Sequence, residues 1–269
     1  HRWGDFGWDS SFTFSANKNE IVELVKDYVH PETGKTYNVD KLELKTDEGR
    51  GFGKAKFILK EGGTLGDLYT HADLKRDING NVLIDDSGNV TAIDNAGDIK
   101  LGSVLPKANL AWNNSFSYKG INAGFLLTAR LGGIVYSATQ AYLDLYGVSE
   151  TSAAARDAGG VWINGRSRVN PQSFYEVVAS QSGLPTYYTY SATNLRLQEA
   201  HIGYTVPRRW LGNVCDINVS LVGRNLWMIY CKAPFDPEAV ATTNNYYQGI
   251  DYFMMPSTRN IGFNIKINF

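Results

Sequence analysis

The last twelve residues, TRNIGFNIKINF, constrain this chain more than any other stretch. Ile261, Phe263, Ile265, Ile267 and Phe269 take every second position, with Asn260, Gly262, Asn264, Lys266 and Asn268 between them. Side chains along a strand alternate between two faces, so this period predicts a β-strand with one oily and one polar side.

The same pattern recurs upstream. Phe6, Trp8, Phe12 and Phe14 share one face, opposite Asp5, Gly7, Asp9, Ser11, Thr13 and Ser15. Leu110, Trp112, Phe116 and Tyr118 oppose Asn109, Asn113, Ser115 and Ser117, and Ile121, Ala123, Phe125, Leu127 and Leu131 oppose Asn122, Thr128 and Arg130. Ala200, Ile202, Tyr204 and Val206, then Ile217, Val219 and Leu221, continue the series. Segments 20–29, 51–60 and 64–74 alternate poorly and are weaker candidates. About nine strands are expected in all.

The gaps between strands alternate in length. Short turns are expected at Asn17–Asn19, Glu61–Gly63, Tyr118–Gly120 and Pro207–Asn213, and long connections at roughly 30–50, 75–107, 138–194 and 230–257. Structureless loops of that size are uncommon in a compact soluble domain. Short turns at one end and long loops at the other describe a transmembrane barrel. No stretch approaches the ~18 apolar residues of a membrane helix, but barrel strands alternate and escape that test. A soluble β-sandwich alternates too, with outward residues that are usually Lys and Glu. Here the polar face is Asn, Ser, Thr and Gly, which suits a wet interior. An open sheet has two raw edges, which lipid does not tolerate, so further strands are expected to close it.

The bulk numbers fit. The formal charge of -1 gives no reason to expect a polyanion partner. The 16 Tyr, 12 Phe and 6 Trp are abundant enough to supply aromatic girdles. The start, His1-Arg2-Trp3-Gly4, has neither the basic nor the apolar part of a signal peptide, and reads as the interior of something longer. No HExxH, GxSxG or P-loop signature occurs, and the four histidines are scattered, so no enzyme, cofactor or metal centre is expected. No fixed-period repeat is evident at this level.

The stretch NLRLQEAHIGYTVPRRWLGNVCDINVSLVGRNLWMIY, the FDPE of Phe235–Glu238, the later Pro256-Ser257-Thr258-Arg259 and the final strand ending in Phe resemble the end of the SusC/RagA family of TonB-dependent outer-membrane transporters. GGTLGDLYTHADLKRDINGNV, LGSVLPKANLAWNNSFSYKG and ARLGGIVYSATQAYLDLYG are similar to further family phrases in the same order. The resemblance implies an all-β fold, with residues 1–269 forming the C-terminal part of a 22-stranded barrel whose plug domain and N-terminal strands lie outside this chain. It also implies active import of oligosaccharides or peptides across the outer membrane of a Bacteroidetes-type bacterium. A SusD-like surface lipoprotein would act as a lid, and the TonB complex would supply energy. A soluble secreted carbohydrate-binding β-sandwich and a passive porin are the alternative readings.

Phe269 is read as the terminal signal for the barrel-assembly machinery. Trp162, Tyr187, Tyr188, Tyr190, Tyr246, Tyr247 and Tyr252 are the candidate ligand contacts, since aromatic rings stack on the C–H faces of sugars. The competing reading for them is an interfacial girdle and loop packing. Cys215 and Cys231 fall at opposite ends of one predicted strand, roughly 50 Å apart at ~3.3 Å per residue, and are expected to be unbridged. Asp77, Asn79, Asn81, Asp85 and Asp86 look like a calcium loop, but Val82 stands where an EF-hand needs Gly, and hairpin turns explain them better. Asp9, Arg130, Glu199, Arg224 and Lys266 are candidate lumen charges, equally explained by pairing between strands.

Overall fold

The computed structural model describes residues 1–44, 51–212, 214–241 and 248–268. Phe269, Tyr246 and Tyr247 lie outside the described residues.

One antiparallel sheet forms a wall. Its strands are β1 (Arg2–Trp3), β2 (Phe6–Ala16), β3 (Ala108–Tyr118), β4 (Ile121–Leu131), β5 (Asn194–Val206), β6 (Asp216–Cys231) and β7 (Asn260–Asn268), and each lies beside its neighbour in that order. The register aligns the alternation across the whole sheet. Phe6, Tyr118, Ile121, Tyr204, Val219 and Ile265 form one continuous file, and Trp8, Phe116, Ala123, Ile202, Leu221 and Phe263 form the next on the same face. Between them, Gly7, Ser117, Asn122, Gly203, Ser220 and Asn264 make a file on the opposite face. A one-residue slip would invert any strand, so this agreement over six strands sorts most wall side chains by polarity, with Ser10 and Asn114 on the apolar face and Leu126 and Val222 on the other as exceptions.

The apolar face is left uncovered. Phe263 is 78% exposed, Phe12 65% and Ile202 58%. The main hydrophobic core contains no wall residue. It lies in a lobe built from the three long connections, 17–107, 132–193 and 232–259. There Lys41–Glu43, Ala55–Lys60, Asp67–Thr70 and Ile99–Ser103 form a small sheet, joined by Gly51–Phe52. A second sheet centres on Ile134–Ser137, flanked by Thr189–Ser191 and Ile250–Asp251, and so ties two of the connections together. Three short helices complete the lobe: α1 (Ala138–Leu145), α2 (Glu150–Asp157) and α3 (Pro171–Val178). The Ser137, Ser149 and Asn170 side chains accept hydrogen bonds from their first turns, and Pro171 opens α3 where no N–H is needed.

Six of the expected nine strands are long wall strands. The three weaker candidates belong to the lobe instead. Val25–Val29 pairs with Thr36–Val39 as a ribbon, and Ala55–Lys60 and Asp67–Thr70 sit in the small sheet. Asp67–Thr70 is buried throughout, so it shows no alternation.

The short turns of the wall gather at one end, at Gly4–Asp5, Lys119–Gly120 and around the 3₁₀ turn Arg208–Leu211. Lys119 and Gly120 both have positive φ, 46° and 88°, as a two-residue hairpin turn requires. The anticipated turns at Asn17–Asn19 and Glu61–Gly63 lie inside the first long connection. A repeat also emerges: Asp-x-(Asn/Ser)-Gly-Asn-Val occurs at 77–82 and again at 85–90. Asp77 accepts from the N–H groups of Asn79 and Asn81, and Asp85 from those of Ser87 and Asn89. Their Val82 and Val90 are buried in the core. These aspartates build turns.

Candidate functional site

The inward face of the wall and the lobe above it carry the polar chemistry. Glu199 and Arg224 face each other in register and pair at 2.9 Å. Arg130 donates through Nη2 to the Val104 carbonyl at 2.9 Å, fastening wall to lobe. Asp9 and Lys266 are exposed.

The strongest electrostatic feature was not foreseen from the sequence. Arg196, near the lobe end of β5, is 3% exposed. Its Nη2 lies 2.7 Å from Asp236 Oδ1 and 3.3 Å from Glu238 Oε2, and Nη1 donates to Asn225 Oδ1 at 3.3 Å. Ser257 Oγ donates to the other oxygen of Asp236, and Asn194 Nδ2 donates to Glu238 Oε1 at 3.1 Å. Both ends of the connection 232–259 therefore meet at one buried guanidinium. Burial pushes the Asp236 carboxyl up, yet bonds from Ser257 and Arg196 hold it below the usual carboxylate range. Arg196 stands in the NLRL phrase and Asp236 in FDPE, and nothing in either phrase shows that the two meet.

The aromatic candidates separate. Tyr188 is enclosed, and its hydroxyl donates to Asp144 Oδ2 at 3.0 Å. Burial first, and the Asp144 charge second, push its pKa well up. Tyr187 is half-buried, edge-on to Phe174 at 6.2 Å between centroids. Tyr190 meets Phe235 edge-on at 5.4 Å, and burial pushes its phenol up to about 12. These three tyrosines pack in or against the lobe core. Trp162 stands exposed on a hairpin of its own, with the Arg168 guanidinium 4.5 Å from its ring centroid. Tyr252 is exposed too, and gathers Phe52 at 4.7 Å, Phe253 at 5.2 Å and Tyr142 at 6.2 Å. Phe52, Tyr142 and Phe253 were missed. The order Tyr-Phe-Met-Met at 252–255 was the available signal, as a run of large apolar residues in a loop. Phe253 has φ 51°, a strained conformation for a bulky residue.

Cys215 and Cys231 are unbridged, at opposite ends of β6. Among the described residues no cluster of three or more His, Cys, Asp or Glu could hold a metal ion.

The chain is similar to TonB-dependent receptors P3 and P26 of Formosa agariphila, each at 25% identity, over 97% and 100% of its length. It spans only 27% and 28% of those relatives. No protein-family model matches. Among solved structures, the RagAB peptide importer in its closed-closed state superposes over all of this chain and 28% of the importer chain, with a TM-score of 0.65 at 17% identity. A further RagAB peptide transporter structure gives 0.62 at 16% identity. Structural likeness at that identity speaks for the fold, and the receptor relatives agree with it.

Proposed function

We propose that this chain, which by sequence and fold is a SusC/RagA-like TonB-dependent receptor segment, supplies the C-terminal part of an outer-membrane barrel that actively imports oligosaccharides or peptides. The observation that carries the membrane reading is the pair of apolar files running unbroken across six strands and left uncovered. In water that face would be an aggregation surface. In lipid it is the required one, and the paired backbone of the wall meets the other requirement. On β6, Ile217 to Trp227 covers about 33 Å of strand, or ~25 Å of thickness at a ~40° tilt, which matches the apolar band of such barrels.

In this reading the lobe stands outside the cell and the three short turns face the periplasm. The remaining barrel strands continue the sheet from β1 and the rest of the β2 edge on one side and from the free edge of β7 on the other, and a plug fills the lumen. A SusD-like lipoprotein and the TonB complex complete the transporter. Ligand contacts fall to the exposed aromatic groups, Trp162 and the Tyr252 cluster, with Tyr246 and Tyr247 as neighbours of the latter in sequence. Tyr187, Tyr188 and Tyr190 hold the lobe in shape beneath them. Phe269 serves as the assembly signal. The soluble sandwich is disfavoured because no second sheet covers the apolar face among the described residues.

The test is uptake of fluorescent oligosaccharides and peptides by cells with and without the complete protein, each with TonB intact or deleted. Uptake that needs both proteins is the expected result. Uptake that persists without TonB points to a passive pore, and recovery of the protein in the soluble fraction would end the membrane reading.

A further inference from the structure

At the junction of wall and lobe lies a pocket of about 620 Å³. Its position follows from the register. Ala16, Ala108 and Leu131 stand side by side as the last outward-facing residues of β2, β3 and β4. Asn17, Lys107 and Gly132 are the next residue along each chain, one step onto the inward parity, and all three line the pocket. It therefore sits at the mouth of the lumen. Its size is that of a small-molecule site.

The lining is rich in donors. The Lys107 ammonium makes no ion pair among the described residues, and the Asn17 side chain makes no hydrogen bond among them. Asn19 spends its oxygen on the Leu65 N–H, at 3.0 Å, which leaves its amino group free for a ligand. Lys18 pairs with Glu20 at 3.2 Å across an exposed surface, where the pair is weak. Glu20 is the only acidic lining residue among the described residues, so one positive charge remains uncompensated among them. Gly132 makes this possible. At φ 76°, a Cβ there would stand 2.9 Å from Lys107 Cγ, so the lysine stem lies flat against the glycine backbone. Thr193 Oγ1 fixes that backbone by accepting the Gly132 N–H at 2.9 Å.

We infer that this pocket is a subsite for an anionic sugar unit, carboxylated or sulfated, with Lys107 as its charge partner and the Asn17 and Asn19 amides donating to ring hydroxyl or acid oxygens. An acceptor-rich ligand meets a donor-rich wall, and one acid group meets the one unbalanced ammonium. The inference rests on the oligosaccharide form of the proposed import and names its ligand class.

Calorimetry on the complete receptor in detergent tests it, with digalacturonate, monosulfated digalactose and neutral digalactose as probes. At 50 mM salt the anionic sugars are expected to bind at least tenfold more tightly than the neutral one, and at 500 mM salt the preference should shrink. Lys107→Gln should weaken binding of the anionic sugars at least fivefold and so remove most of the preference. Glu20→Gln, which frees Lys18, should strengthen anionic binding two- to fivefold, and it tests the site without touching Lys107. Preference for only one of the two acids identifies the source of the charge. Equal binding of all three sugars, an unaltered preference in both variants, or tight binding of an acidic dipeptide in place of the sugars would overturn the assignment. None of these readouts involves TonB, so failure of the import reading would show in uptake and not here.

Discussion

At the scale of single residues, the junction at Arg196 is one of the places where the chain buries charge. Arg196 is buried against the Asp236 carboxylate, with Glu238 at the exposed rim, and removing one partner of a buried pair leaves the other charge stranded. Asp236→Asn is expected to destabilise the junction by about 3 kcal/mol, seen as faster protease cleavage within 232–259 at neutral pH. The sign of the pH dependence follows from the lowered pKa of Asp236. A depressed carboxylate contributes stability that is present above its unfolded value of about 3.9 and lost as pH falls through its folded value. Protection of 232–259 should therefore hold at pH 5 and fail only below about pH 4. A loss of protection near pH 6 would point to a histidine instead. Tyr188 gives a second test. Its hydroxyl serves a buried carboxylate that also accepts from Gln140, Ser149 and Thr151. Tyr188→Phe should cost the lobe about 2 kcal/mol in a denaturant titration and leave the wall intact.

At the scale of elements, the wall strands behave as two surfaces. Phe263→Arg on β7 places a charge on the apolar face and is expected to cost about 2–4 kcal/mol near the bilayer midplane. Asn264→Arg, one residue along, faces inward and should be tolerated. Loss of the heat-modifiable folded band for the first variant but not the second is the expected gel result. The same alternation explains what could be read from the sequence. Where a strand has one apolar and one polar face, its period is explicit, and β2, β3, β4 and β7 were legible almost to their ends. The beginning of β5 and the far half of β6 were not. Bulges near Gln198 and at Asn225–Leu226 insert residues that break the period there, with Asn225 at φ 51°. Ala55–Lys60 and Asp67–Thr70 failed for the opposite reason. Packed among other lobe elements, they have no contrast between faces to display. The candidate site was legible only as composition. Tyrosines in loops look alike in sequence, and packing alone decides that Tyr188 is enclosed while Tyr252 is open.

At the scale of the whole molecule, core and wall are separate solutions to burying apolar surface. The wall leaves its oily face uncovered, and the lobe buries its own, with Phe57, Leu68, Tyr136 and Ile250 at its centre. This division predicts an orientation. Ile78, fully exposed on the first Asp-x-Asn-Gly turn, belongs to the lobe, and Val214 belongs to the opposite, short-turn end. With Cys215 and Cys231 both replaced by serine in the complete protein, a cysteine at 78 should react with a membrane-impermeant maleimide on intact cells. A cysteine at 214 should react only after the outer membrane is opened. Labelling of both positions on intact cells would mean that the apolar files do not separate two compartments. Labelling in the reverse order would turn the barrel over and put the sugar pocket, with Lys107, on the periplasmic side. The geometry of the wall fixes that the two positions lie at opposite ends. Which end faces outward follows from the barrel rule that long connections lie outside and short turns inside, and the maleimide experiment tests that step alone.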